Sequence, residues 1–104
     1  MKEKFLNTKE MEWQDAPGYT EGTKRKILRD EDGARAILLK IPAGFDLEGH
    51  THTCTEQHYV LEGEYEAEGR TYGSGTYQLI PAHTSHGPYT SKKGAVIFVI
   101  WDPV

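Results

Sequence analysis

Residues 44–63 read GFDLEGHTHTCTEQHYVLEG, which sets His50, His52, Glu56 and His58 within nine residues. Side chains two apart on an extended strand project to the same face, so His50 and His52 point the same way with their ring nitrogens converging. Glu56 follows a Thr-Cys-Thr bend and opens the next apolar-polar alternation, a position from which it returns beside the two histidines. One divalent ion can then take all three. Histidine and glutamate at inward-facing strand positions are costly to bury alone, whereas a cation satisfies them together. All five histidines lie between positions 50 and 86, which asks for a shared cause. Any fold this chain adopts must therefore turn that strand inward.

The remaining punctuation is that of short strands. Asp32-Gly33, between KRKILR and ARAILLKI, is a hairpin turn signal, and the strand after it ends at Pro42, which has no N–H for a ladder. Residues 57–61 form the next strand, Gly63 turns it, and residues 64–68 return antiparallel before Gly69. A strand over 76–80 leads to the last two histidines, and AVIFVIW over 95–101 is apolar on both parities, hence a strand buried on both faces. No stretch carries a helical period. Residues 1–23 read as a polar N-terminal arm with Trp13 as anchor and Pro17-Gly18 as turn, and residues 24–104 as a single barrel domain. At 104 residues there is room for one core and no second domain.

Two blocks of sequence resemble the cupin superfamily. The first motif, G-x5-H-x-H-x3-E-x6-G, is met at Gly44, His50, His52, Glu56 and Gly63. The second, G-x5-P-x-G-x2-H-x3-N, is met at Gly75, Pro81 and His86, with His83 where the family has Gly and Thr90 in place of Asn. Further patterns, from Trp13 to Gly18, Val60 to Gly63, Gly75 to Pro81 and Ser91 to Gly94, make nearly the whole chain similar to the ChrR-like group. The resemblance implies an all-β double-stranded β-helix, or jelly roll, whose His50, His52, Glu56 and His86 hold one divalent metal in the barrel mouth. His58 shares the parity of Glu56 and so also faces inward; it can replace Glu56 as ligand, or hydrogen-bond a ligand or substrate and move a proton. The motif spacing favours Glu56 as ligand and leaves His58 as the catalytic candidate. His83 belongs to the loop surface or rim. Tyr59, Tyr65, Tyr77 and Tyr89 are core or pocket lining, and sequence does not sort them.

Charge narrows the partners. With 12 basic against 16 acidic residues the net charge is −4, which disfavours a nucleic-acid surface; the one basic triplet, Lys24-Arg25-Lys26, reads as a solvated strand end. No apolar run is long enough to span a membrane, and the N-terminus lacks a signal-peptide core, so a cytoplasmic protein is expected. The single cysteine, Cys54, reads as a small residue packing beside the site. A short barrel exposes an apolar outer face that a second copy would cover, so a homodimer is expected.

Imidazole with one carboxylate suits iron, manganese, nickel or zinc and leaves positions open for a small-molecule substrate. The ChrR-like group contains both the metal-binding domain of a zinc-dependent anti-sigma factor and iron dioxygenases that cleave small diketones or hydroxyketones. The resemblance thus implies an iron(II) dioxygenase acting on a small enolisable carbonyl compound. The alternatives are a non-catalytic metal or small-molecule sensor and a metal-dependent isomerase. An anti-sigma factor would need an added helical domain, and the sequence has no helical pattern to supply one.

Overall fold

The computed structural model describes residues 1–103. A turn made by Asp32 (φ 50°) and Gly33 (φ 82°), both in the left-handed region, joins β2 (Lys24–Glu31) to β3 (Ala34–Ile41), as the Asp-Gly pair predicts. β1 (Gln14–Asp15) adds to the free edge of β2, and β3 pairs on its other side with β11 (Ala95–Asp102), which in turn pairs with the long β6 (Thr55–Ala67). β8 (Tyr77–Ile80) closes this layer on the first half of β6. The second half of β6 belongs to the opposite layer, where it pairs with β7 (Arg70–Gly73) and β10 (Tyr89–Ser91), and β10 carries β4 (Phe45–Leu47). A separate two-stranded ribbon joins β5 (His50–Thr51) to β9 (Ser85–His86). The chain is the expected jelly roll, nearly all β, with one turn of 3-10 helix at Thr8–Glu10.

Gly63 does not end a strand as expected. β6 runs through it, and the reversal comes later, at Glu68 (φ 52°) and Gly69 (φ 77°). The register across β11 explains the difference: Val96 faces Glu62 and Ile97 faces Val60, so Leu61 is the extra residue of a bulge. Gly63, with φ 73°, allows the backbone to approach β11 so closely that a Cβ there would lie 2.1 Å from the Gly94 carbonyl oxygen. The bulge bends β6 from one layer into the other while Glu64 N–H still donates to Gly94 O at 3.2 Å. A glycine read as a turn is here the crossing point of the barrel.

Ile37, Leu39, Ile41, Phe45, Val60, Ile97 and Val99 fill the space between the layers; Val60 and Ile37 are almost wholly enclosed. β11 departs from the expectation of burial on both faces. Ala95, Ile97, Val99 and Trp101 are buried, whereas Val96, Phe98 and Ile100 on the outer face are only half-buried. Lys26 also departs from its expected place. It is buried, its Nζ donates to the Thr8 carbonyl at 2.7 Å, and it lies 4.5 Å from the centre of the Trp13 ring. Folding the N-terminal residues over β2 makes that possible: Trp13 covers the lysine stem and Ala16 joins the core. Among the described residues no helix is long and apolar enough to cross a membrane.

Candidate metal centre

The short ribbon sets the site. His50 on β5 and His86 on β9 are direct partners across the ladder, and their ring centres lie 4.2 Å apart. His52, just beyond β5, brings its ring to 4.6 Å from His50 and 5.2 Å from His86. One ring nitrogen from each of the three lies within 4.8 Å of the others, a cluster that could hold a metal ion. The exposed His83 takes no part with its side chain, but its backbone N–H donates to His52 O at 2.7 Å and ties the following loop to the lip.

Two of the three imidazoles are oriented from behind. His50 Nδ1 donates to the Glu48 carbonyl at 2.9 Å, so its Nε2 carries the lone pair. His86 Nδ1 lies 2.8 Å from the Tyr89 hydroxyl, and both Tyr89 and Tyr65 donate to Gln78 Oε1, at 3.2 and 3.0 Å. His86 Nε2 is buried with no partner in the protein. Such an orphaned atom is what a bound cation would satisfy, so the residues fit a metal. Burial, with smaller contributions from the neighbouring histidines, outweighs the pull of Glu56 and holds His86 down at about 4, so its imidazole is neutral at neutral pH. Burial likewise pushes Tyr65 up and raises Tyr89 to about 12, so both remain phenols.

Glu56 stands beside this cluster. Its carboxylate is 3% exposed; Oε1 accepts from Trp101 Nε1–H at 2.5 Å and lies 3.0 Å from His52 Nε2, while Oε2 is in contact with His58 Nε2. Burial pushes the carboxyl up, but the His58 hydrogen bond and the charges of His58, His52 and His86 outweigh it and hold the group below its ordinary value. Of the four ligands the motif implies, the structure draws three histidines into one cluster and brings Glu56 to it through His52. His58 lines the same cavity but reaches Glu56, and its Nδ1 is buried without a partner. Cys54 is half-buried against the core and outside the three-histidine cluster.

Sequence reasoning missed Trp101, which it assigned to packing alone. The usable signal was its inward parity at the end of β11, since a buried indole N–H needs an acceptor, and the register sets Glu56 directly opposite. The four tyrosines left unsorted now separate: Tyr65 and Tyr89 line the cavity, whereas Tyr59 and Tyr77 lie exposed on the outer face. The cavity measures about 40 Å³, is walled by Leu39, Ile41, Phe45, Ile97 and Val99 below the histidines, and among the described residues has no Lys or Arg in its lining.

The sequence profile of the ChrR Cupin-like domain matches residues 1–104. None of the curated proteins searched matches the chain. Among solved structures, an RmlC-like cupin from Shewanella frigidimarina NCIMB 400 superposes with a TM-score of 0.80 at 24% identity, covering 99% of this chain and 93% of that one. An acetylacetone dioxygenase from Acinetobacter johnsonii gives 0.83 at 15% identity, with 97% and 74% covered. The anti-sigma factor ChrR of Rhodobacter sphaeroides, solved with SigE, gives 0.71 at 24% identity, with 92% and 52% covered. Likenesses at these identities establish the shared fold.

Proposed function

The chain belongs to the family of the ChrR Cupin-like domain, and from that premise we propose that it is a small iron(II) dioxygenase acting on an enolisable carbonyl compound. The observation that carries the proposal is the Glu56–His58 pair set beside three converging imidazoles over a small apolar cavity. His50, His52 and His86 would hold the ion, with Glu56 as the fourth candidate ligand beside His52. Iron(II) bound there would supply electron transfer between an enolised substrate and dioxygen.

The protein's own share is proton handling and selection. An ionised Glu56 can only accept, so His58 Nε2 carries the proton that faces Oε2 and Nδ1 keeps a lone pair. That unpartnered Nδ1, in a residue lining the cavity, is the base for the proton α to the substrate carbonyl. In the net reaction the carbon–carbon bond between the carbonyl carbon and the α-carbon breaks, and both atoms of dioxygen enter the products. The former becomes a carboxylic acid and the latter an aldehyde or ketone. A lining without Lys or Arg leaves a carboxylate no countercharge besides the ion and the histidines, which favours an uncharged substrate. Its apolar wall suits short alkyl groups.

The test is oxygen uptake by iron-loaded protein with small 1,3-diketones and, in parallel, with oxalate. Uptake stoichiometric with diketone supports the proposal. Iron bound at one equivalent with no uptake would move the chain to the sensor reading, and carbonyl isomerisation without uptake to the isomerase. The same proposal takes the chain to be a cytoplasmic homodimer, its copies meeting on the outer face where Tyr59, Tyr77 and Leu79 are exposed beside Phe98. Light scattering that gives the monomer mass at micromolar concentration refutes the dimer.

A further inference from the structure

We propose that Gln78 and Tyr89 together set the tautomer of His86, committing Nδ1 to carry the ring proton and Nε2 to present its lone pair to the ion. The inference rests on the metal reading above and names the positioning residues that serve it. Gln78 lies on β8, opposite His58 in the register, and Tyr89 opens β10, so neither is a candidate ligand. The Gln78 carbonyl oxygen accepts from Tyr65 at 3.0 Å and from Tyr89 at 3.2 Å. A carbonyl has no proton to give, so the one hydroxyl proton of Tyr89 is spent on Gln78. The Tyr89 oxygen, 2.8 Å from His86 Nδ1, can then only accept, and Nδ1 must donate. A neutral imidazole has one N–H, which leaves Nε2 with the lone pair.

Turning the Gln78 amide around would reverse every bond in this chain. Its NH2 would donate to the tyrosines, Tyr89 would donate to Nδ1, and the ring proton would move to Nε2. That atom is buried without a partner, beside the rings of His50 and His52, so an N–H there would be a buried donor with no acceptor and would turn away an ion, whereas a lone pair there is what a cation satisfies. Tyr65 shares Oε1 with Tyr89 and so holds the Gln78 side chain in place, while the demand at His86 Nε2 decides which way its amide faces. The contrast with His50 is informative. A backbone carbonyl orients that ring, which no side-chain substitution removes, whereas the orientation of His86 is held by two side chains.

The first measurement is long-range proton–nitrogen NMR of the uniformly nitrogen-15-labelled, metal-free protein at neutral pH. The wild type is expected to show His86 protonated at Nδ1 and bare at Nε2. Tyr89→Phe and Gln78→Leu are expected to lose that preference, and Tyr89→Phe to bind zinc about 10- to 100-fold more weakly, the usual cost of removing a partner that orients a ligand. Gln78→Glu keeps an accept-only oxygen and is expected to restore both the tautomer and the zinc affinity. A wild-type His86 protonated at Nε2, or zinc affinity unchanged in Tyr89→Phe, would overturn the inference. Wild-type protein that binds no zinc, cobalt or iron(II) would instead overturn the metal reading, and the wild-type spectrum would then judge the tautomer by itself. If Tyr89→Phe fails to fold, the wild-type and Gln78 spectra remain decisive.

Discussion

Replacing Trp101 by Phe removes one hydrogen-bond donor from a buried carboxylate and little else. Trp101 is 8% exposed, Glu56 is 3% exposed, and the indole N–H meets Oε1 at 2.5 Å. A hydrogen bond to a charged group contributes about 1.5–3 kcal/mol, and the volume lost from the indole adds about 1 kcal/mol of void. The sum, about 2.5–4 kcal/mol, corresponds in a domain of this size to a fall in Tm on the order of 10–30 °C. Arg35 lies 5.0 Å over the Trp101 ring and keeps an aromatic face in the variant, so the cation–π contact does not confound the result. Thermal and urea unfolding in the presence of chelator give the stability without any metal contribution. A double-mutant cycle with Glu56→Leu, which leaves the indole N–H no side-chain acceptor, then isolates the pair, and a coupling of at least about 1 kcal/mol is expected. Additivity within about 0.5 kcal/mol would show that Trp101 stabilises by packing alone and refute the role assigned to its N–H.

His86→Ala loses most metal affinity in isothermal titration, while His58→Ala retains it because His58 meets Glu56 rather than the cluster; equal losses would overturn the ligand assignment. His86, held at about 4 by burial, titrates below its unfolded value near 6.5, so the unfolded chain takes up the proton first. Its contribution to metal-free stability is present in full above about pH 6.5 and lost as pH falls toward 4. Urea midpoints that stay flat across that window in wild type, or fall equally in His86→Gln, contradict the assignment. Gly63→Ala is expected to prevent folding or to cost on the order of 4 kcal/mol or more, since its Cβ would meet Gly94 O at 2.1 Å. Gly44→Ala, with φ 86° and nothing within 4 Å, costs about 1–2 kcal/mol by backbone strain alone; similar denaturant midpoints for the two variants would refute the close approach.

What the sequence made legible was whatever repeats at short range. The Asp32-Gly33 turn and the stop at Pro42 are local facts and stand in the structure as read, and His50 and His52 converge as expected although β5 ends at Thr51 and His52 lies just past it. Family spacing then supplied His86, which no local pattern connects to His50. Gly63 was misread because a left-handed glycine serves a turn and a bulge alike, and only the partner strand decides between them. Lys26 was misread because its burial depends on Trp13, thirteen positions earlier in the chain and just before β1. The Gln78–Tyr89 support was out of reach for the same reason: β8 and β10 do not pair with one another, and their side chains meet only through the closed barrel.

The ribbon of β5 and β9 is two residues long on each side and forms a sheet of its own. Two pairs of residues cannot hold themselves together in water, so this seam has the lowest opening free energy expected in the barrel. His50 and His86 stand on its two sides, about 36 positions apart in the chain, and anything that ties both rings closes a loop of that length as a covalent cross-link would. Amide exchange at Thr51 and Ser85 is therefore expected to be fast in the metal-free protein and to slow many-fold once an ion ties the two rings. Affinity for the ion and resistance of the mouth to unzipping become one quantity measured in two ways.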